Sequence, residues 1–159
     1  NFVNLFILLV ISIYLNELVF FAVYIIFFIP LRVFCGGYHS KNIWTCFVLT
    51  SFFYVMLSIL YSKMYLDVEG FFCLLITNII IIIKYSPMES KNHFLSLQSH
   101  RRNKHIILIL LVVDSLICIV LYSKVKKTSI QILLLLTYIS CLLLYMRLKE
   151  VIWEKRFYK

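Results

Sequence analysis

The sequence predicts an all-α, polytopic integral membrane protein with about six transmembrane helices. Of its 159 residues, 63% are apolar and only 14% are charged, and the mean hydropathy is +0.96. Soluble domains are about half apolar and about a quarter charged, so this composition excludes a soluble globular domain. With three glycines and two prolines, the chain is also neither collagen-like nor linker-rich. We expect residues 1–159 to form a single transmembrane domain.

Five apolar runs supply the predicted crossings: residues 2–31, 43–61, 71–83, 106–122 and 130–146. A helix needs about 20 apolar residues to cross a bilayer, so the third run suffices only if residues 64–70 extend it or Tyr85 caps it. The first run is too long for one crossing and carries Asn16 and Glu17 at its middle. Because an unpaired carboxylate inside a bilayer is costly, we expect two helices that turn there. Six crossings result, with five as the alternative.

Basic residues predict the orientation. Twelve lie in the first loop, in the basic loop 84–105 and in the tail, whereas the intervening connections hold four. Cytoplasmic loops carry the excess of Lys and Arg, so we expect these three segments and both termini in the cytoplasm. The net charge of +9 does not indicate nucleic acid, because the basic residues are confined to short segments between apolar runs. We expect His93, His100 and His105 to be solvated or to face lipid headgroups.

Residues 32–46 form the segment where chemistry is most expected. It holds Gly36 and Gly37, and adjacent glycines let the backbone approach a ligand and offer N–H donors to a developing oxyanion. His39 and Cys46 follow, and a cysteine nucleophile needs a base such as histidine to generate the thiolate. Seven residues of continuous helix span about 10 Å, too far for a direct hydrogen bond. We therefore expect His39 on a loop over a helix that begins near residues 40–43, with Ser40 or Asn42 orienting the imidazole.

Other interpretations of the same residues stay open on these grounds alone. Cys46 can be a packing residue, because free cysteine is among the most buried residue types, and the glycine pair can be a plain interhelical turn. Cys35, His39 and Cys46 match no common zinc-ligand spacing and lack an evident fourth ligand, so we expect no metal. The five cysteines contain no CxxC pair and indicate no disulfide framework.

Two segments together resemble the accessory gene regulator B (AgrB) family of bacterial membrane cysteine endopeptidases. The first supplies a basic residue, a glycine step and a His–Cys pair seven apart: Arg32, Gly36, Gly37, His39 and Cys46. The second, Tyr-Ser-Pro-Met-Glu-Ser-Lys-Asn at residues 85–92 followed by basic residues 101–104, resembles the proline-containing loop of the family. With the hydropathy pattern, the resemblance covers essentially the whole chain.

The resemblance implies that His39 and Cys46 are the catalytic pair, on the cytoplasmic side of the bacterial cell membrane. Arg32, Gly36 and Gly37 are then candidates for substrate binding or oxyanion stabilisation. The implied activity is cleavage of the C-terminal tail of a small AgrD-like precursor peptide, with formation of a cyclic thiolactone or lactone quorum-sensing signal. A homodimer surrounded by membrane lipid is also implied, with no cofactor and no nucleic-acid partner.

Two features depart from the family pattern and leave room for a rival function. Ser40 stands where many members of the family have a small apolar residue. The polar segment that precedes the first crossing in the family is missing here, so we expect an N-terminally truncated fragment. The rival is a non-enzymatic transporter or export component, in which Glu17 and Asp114 line a path. We expect Asp114 to face the bundle interior and Glu17 to lie in an external turn. An inactive peptidase relative is the third possibility.

Overall fold

The structure is a computed structural model that describes residues 2–36, 43–88 and 97–157. This part of the chain is 91% helical and contains no strand, which confirms the all-helical membrane class. It comprises the helices α1 (Phe2–Tyr14), α2 (Leu18–Cys35), α3 (Ile43–Lys63), α4 (Val68–Tyr85), α5 (Leu97–Lys124) and α6 (Lys126–Phe157).

Four helical segments in the described part are long and apolar enough to cross a membrane: Leu18–Cys35, Val68–Tyr85, Gln98–Lys124 and Lys126–Lys149. Two shorter apolar segments, Val3–Tyr14 and Val48–Tyr61, lie in α1 and α3. The third apolar run of the sequence is extended at both ends to give α4. This extension supplies the length that the run lacks by itself.

The expected turn at Asn16 and Glu17 is present and separates α1 from α2. Asn16 has a positive φ of 55°, and the Glu17 N–H donates to the Ser12 carbonyl at 2.8 Å. The Asn16 N–H donates to the Ile13 carbonyl at 3.1 Å. These two bonds and the left-handed conformation of Asn16 form a Schellman motif. Glycine is the usual residue at the left-handed position of this motif, and asparagine is the main alternative. The Schellman motif therefore ends α1 inside the long apolar run.

Helix α2 changes its partners at a π-helical turn, Tyr24–Phe28, directly before Pro30. The Ile29 N–H donates to the Tyr24 carbonyl, five residues back. Because proline has no N–H, Pro30 cannot continue the normal bond to the carbonyl four residues earlier, and a wider turn accommodates that gap. The residues before the turn pack against α1 and α6, whereas the last two turns of α2 pack against α5.

Helix α6 is the centre of the bundle. Inside its membrane span 61% of the residues are buried, against 22–33% in the other three spans, and it contacts α2, α3, α4 and α5. Buried polar side chains join it to its neighbours: Asn78 Nδ2 of α4 donates to Thr137 Oγ1 at 2.9 Å, and Ser129 Oγ donates to the Cys118 carbonyl at 2.7 Å. In lipid such interhelical bonds contribute about 0.6–2 kcal/mol each.

Candidate active site

The described residues include only part of the predicted catalytic segment. Gly37 and His39 lie outside them. Helix α3 begins at Ile43, and Cys46 is its fourth residue, so the proposed nucleophile lies in the first turn of a helix. The helix thus begins within the range predicted from the sequence, residues 40–43.

Gly36 ends α2 in a conformation that requires glycine. Its φ of 70° and ψ of −154° fall in a region that only glycine adopts without strain. A Cβ at this position would collide with the carbonyl oxygen of Met88. The Met88 N–H donates to the Cys35 carbonyl at 2.9 Å, and Gly36 and Met88 form an isolated parallel bridge. The bridge joins the end of α2 to the segment that follows α4.

This junction unites the two segments on which the family resemblance rests. Gly36 belongs to the glycine step of residues 32–46, and Met88 belongs to the proline-containing stretch 85–92. No local pattern in the sequence couples these distant positions, so the junction is missed by sequence reasoning. We define the Gly36–Met88 junction as Cys35, Gly36 and Met88 with their backbone hydrogen bond.

Arg32 lies in the last turn of α2 and supports the same junction. Its Nη1 donates to the Gly36 carbonyl at 3.3 Å, and its side chain is half-buried. A cation at a helix C-terminus is stabilised by the partial negative charge of the last carbonyls. Arg32 therefore positions the backbone directly before residues 37–42. Its expected contact with substrate stays a prediction.

Helix α3 is held in place by buried aromatic side chains two turns beyond Cys46. Tyr54 is 1% exposed, and its hydroxyl lies 2.6 Å from Ser12 Oγ of α1. The rings of Phe20 and Tyr24, both on α2, lie 5.0 and 5.2 Å from the Tyr54 ring. Aromatic pairs at this spacing contribute about 0.5–1.5 kcal/mol beyond their area. These contacts fix the rotation of α3 about its axis.

The thiols other than Cys46 fall into two classes. Cys35 and Cys118 are buried, whereas Cys73 and Cys141 are exposed on the faces of α4 and α6. Cys118 Sγ lies 3.4 Å from the Ser129 carbonyl oxygen and from Ser129 Oγ, so it belongs to the α5–α6 contact. Cys35, with 0% exposure, belongs to the Gly36–Met88 junction.

The two intramembrane acids have different surroundings. Asp114 is 4% exposed and faces the bundle interior as expected, and its Oδ2 has no hydrogen-bond partner in the described part of the chain. Glu17 is half-buried in the turn between α1 and α2, as the sequence indicates.

One comparison with known proteins gives a match. The family model for accessory gene regulator B matches residues 1–148, a range that includes both segments of the Gly36–Met88 junction and Cys46. Curated proteins give no match, and solved structures give none. Because the family model covers nearly the whole chain, this membrane protein belongs to the accessory gene regulator B family, which serves peptide processing in agr quorum sensing.

Proposed function

We propose that this chain is a membrane cysteine endopeptidase that removes the C-terminal tail of a small AgrD-like precursor and cyclises the remaining peptide. The observation that supports the proposal best is the Gly36–Met88 junction. It joins the two family segments directly before residues 37–42, which include His39, while Cys46 follows in the first turn of α3. The charge distribution favours the cytoplasmic face of the bacterial cell membrane for this site.

The reaction follows from the chemistry of a Cys–His pair. His39 takes the proton from the Cys46 thiol, and the thiolate attacks the carbonyl carbon at the junction of ring and tail. His39 then returns the proton to the tail amine, which leaves, and a thioester joins the peptide to Cys46. A thiol or hydroxyl of the peptide attacks that thioester and releases Cys46, so the ring closes without ATP. Water must be excluded for the ring to form, and a site at the membrane boundary favours this.

The remaining candidate residues have supporting roles in this proposal. We assign the N–H groups of Gly36 and Gly37 to the oxyanion that forms on the attacked carbonyl. Arg32 carries a positive charge beside Gly36 and is the candidate partner for a carboxylate of the precursor. The precursor peptide is the substrate, and a homodimer is the proposed assembly.

A trapping experiment tests the proposal. The chain, reconstituted in liposomes, is incubated with a precursor peptide that has an acidic tail and in which alanine replaces the central cysteine or serine, so that the ring cannot close and the thioester remains. We expect release of the free tail and a mass increase of the protein equal to the precursor without its tail. Hydroxylamine should remove that mass, because it cleaves thioesters. The proposal is contradicted if neither the tail nor the adduct forms while the protein retains its helical content.

A second function, transport, is favoured only by Asp114, whose Oδ2 has no hydrogen-bond partner in the described part of the chain. Asp114→Asn keeps the shape of the side chain and removes its charge. A peptidase that uses Cys46 and His39 should release the tail from this variant at the wild-type rate. A transporter should instead lose peptide flux across the liposome membrane with Asp114→Asn and keep it with Cys46→Ser.

A further inference from the structure

An open groove follows the first turns of α5. Its volume is about 590 Å³, and its described lining residues are Gln98, Ser99, Arg102, His105 and Ile106. Successive residues of an α-helix are about 100° apart, which places Gln98, Arg102 and His105 on one side of α5. The lining thus includes three nitrogen-bearing side chains, Gln98, Arg102 and His105, and along the helix axis it ends at the apolar side chain of Ile106.

The described lining of the groove contains no acidic residue. Between Glu89 and Asp114 the sequence contains no acidic residue. Arg102 is exposed and makes no hydrogen bond or ion pair with any residue that the structure describes. A guanidinium has five N–H donors in a planar fork that matches two oxygens of a phosphate or carboxylate. The groove is therefore complementary to an anion.

The position of the groove along α5 matches the lipid headgroup layer. Ile106 begins a run of apolar residues that continues to Val113, so it marks the edge of the hydrocarbon core. Arg102 lies four residues before Ile106, or about 6 Å along the helix. The headgroup layer on each side of a bilayer is about 5–8 Å thick. Arg102 therefore lies at the depth of the lipid phosphates, with Ile106 beside the first acyl carbons.

We propose that this groove binds the headgroup of an anionic phospholipid. Arg102 donates two N–H bonds to the phosphodiester, Gln98 bonds to the polar headgroup beyond it, and Ile106 contacts the acyl chain. The apolar side chain of Ile106 favours a lipid over a soluble acidic ligand, because only a lipid joins a phosphate to an acyl chain at this depth. The proposal does not depend on the activity of the proposed catalytic pair.

Native mass spectrometry of the full chain in detergent tests the proposal, with phosphatidylglycerol and phosphatidylcholine titrated in parallel. Arg102→Gln should weaken phosphatidylglycerol binding about fivefold, the factor that corresponds to about 1 kcal/mol for one basic residue at a membrane surface. Lys104→Gln is the matched control, since Lys104 is equally exposed and lies about 200° around α5 from Arg102. It should change binding less than Arg102→Gln.

Any of three results would overturn the proposal. Arg102→Gln and Lys104→Gln could weaken phosphatidylglycerol binding equally, or the wild type could bind both lipids with the same affinity. In the third case, Arg102→Gln would weaken binding of a tetraglutamate peptide but leave phosphatidylglycerol binding unchanged. Arg102→Lys keeps the charge and loses the planar fork, so it should bind phosphatidylglycerol with an affinity between those of the wild type and Arg102→Gln. It provides the comparison if Arg102→Gln fails to fold, as judged by helical content.

Discussion

Cys46→Ser and His39→Ala are each expected to abolish release of the precursor tail, by at least about 10³-fold. Serine cannot supply a thiolate, and without His39 the Cys46 thiol has no base. The two residues act in one step, so the double variant should be no slower than either single variant. The assay is tail release from liposomes, measured by mass spectrometry at saturating peptide.

Cys73→Ser is the matched control for this experiment. Cys73 is an exposed thiol on α4, outside both family segments, so its loss should leave the rate unchanged. Full activity of Cys46→Ser would contradict the assignment of the nucleophile. Full activity of His39→Ala alone would contradict only the assignment of the base.

Gly36→Ala is expected to open the Gly36–Met88 junction and to remove most of the activity. The backbone conformation of Gly36 costs a residue with a Cβ about 1–3 kcal/mol, and the collision with the Met88 carbonyl adds to that cost. Because Cys35 is buried beside Gly36, peptide-level maleimide labelling reports the opening. We expect Cys35 to be labelled at least about tenfold faster in the variant, since about 1.4 kcal/mol corresponds to a factor of ten.

Gly70→Ala separates this effect from a general cost of losing a glycine. Gly70 lies in the first turn of α4, and among the described residues a Cβ there would meet the Leu66 side chain at 3.5 Å, an ordinary van der Waals distance. Alanine has a higher helix propensity than glycine, so this variant should be no less stable than the wild type. Cys35 labelling that stays slow in Gly36→Ala would contradict the structural role given to Gly36.

The features of the fold that the sequence predicts are those with local causes. The turn between α1 and α2 is predictable because the apolar run is too long for one crossing and Asn16 suits a left-handed helix end. Burial is harder to predict. Aromatic residues of membrane proteins are enriched at the membrane boundary, yet Phe20, Tyr24 and Tyr54 are buried in the bundle. Lipid and helix interfaces are both apolar, so hydropathy does not distinguish them.

The candidate site also has features that the sequence predicts and features that depend on helix packing. Residue types and spacing lead to His39 and Cys46, because thiol chemistry needs a base and a nucleophile. The close approach of Gly36 to Met88 depends on how α2, α4 and α5 pack, which no single stretch of sequence contains. The π-helical turn of α2 contributes to that packing, and its signal, Pro30 inside an apolar helix, is present in the sequence but is not by itself specific.

The proposed reaction requires Cys46 to be an activated thiolate, and labelling of Cys46 across pH in native membranes measures this. The wild type, His39→Ala and Cys35→Ser are treated with a thiol-reactive probe, and the modified peptide is quantified by mass spectrometry. We predict that Cys46 reacts at pH values well below about 8.5, the ordinary pKa of a cysteine thiol, and that this reactivity requires His39 but not the Cys35 thiol. If Cys46 is inert, or reacts equally fast in His39→Ala, the proposed mechanism is contradicted.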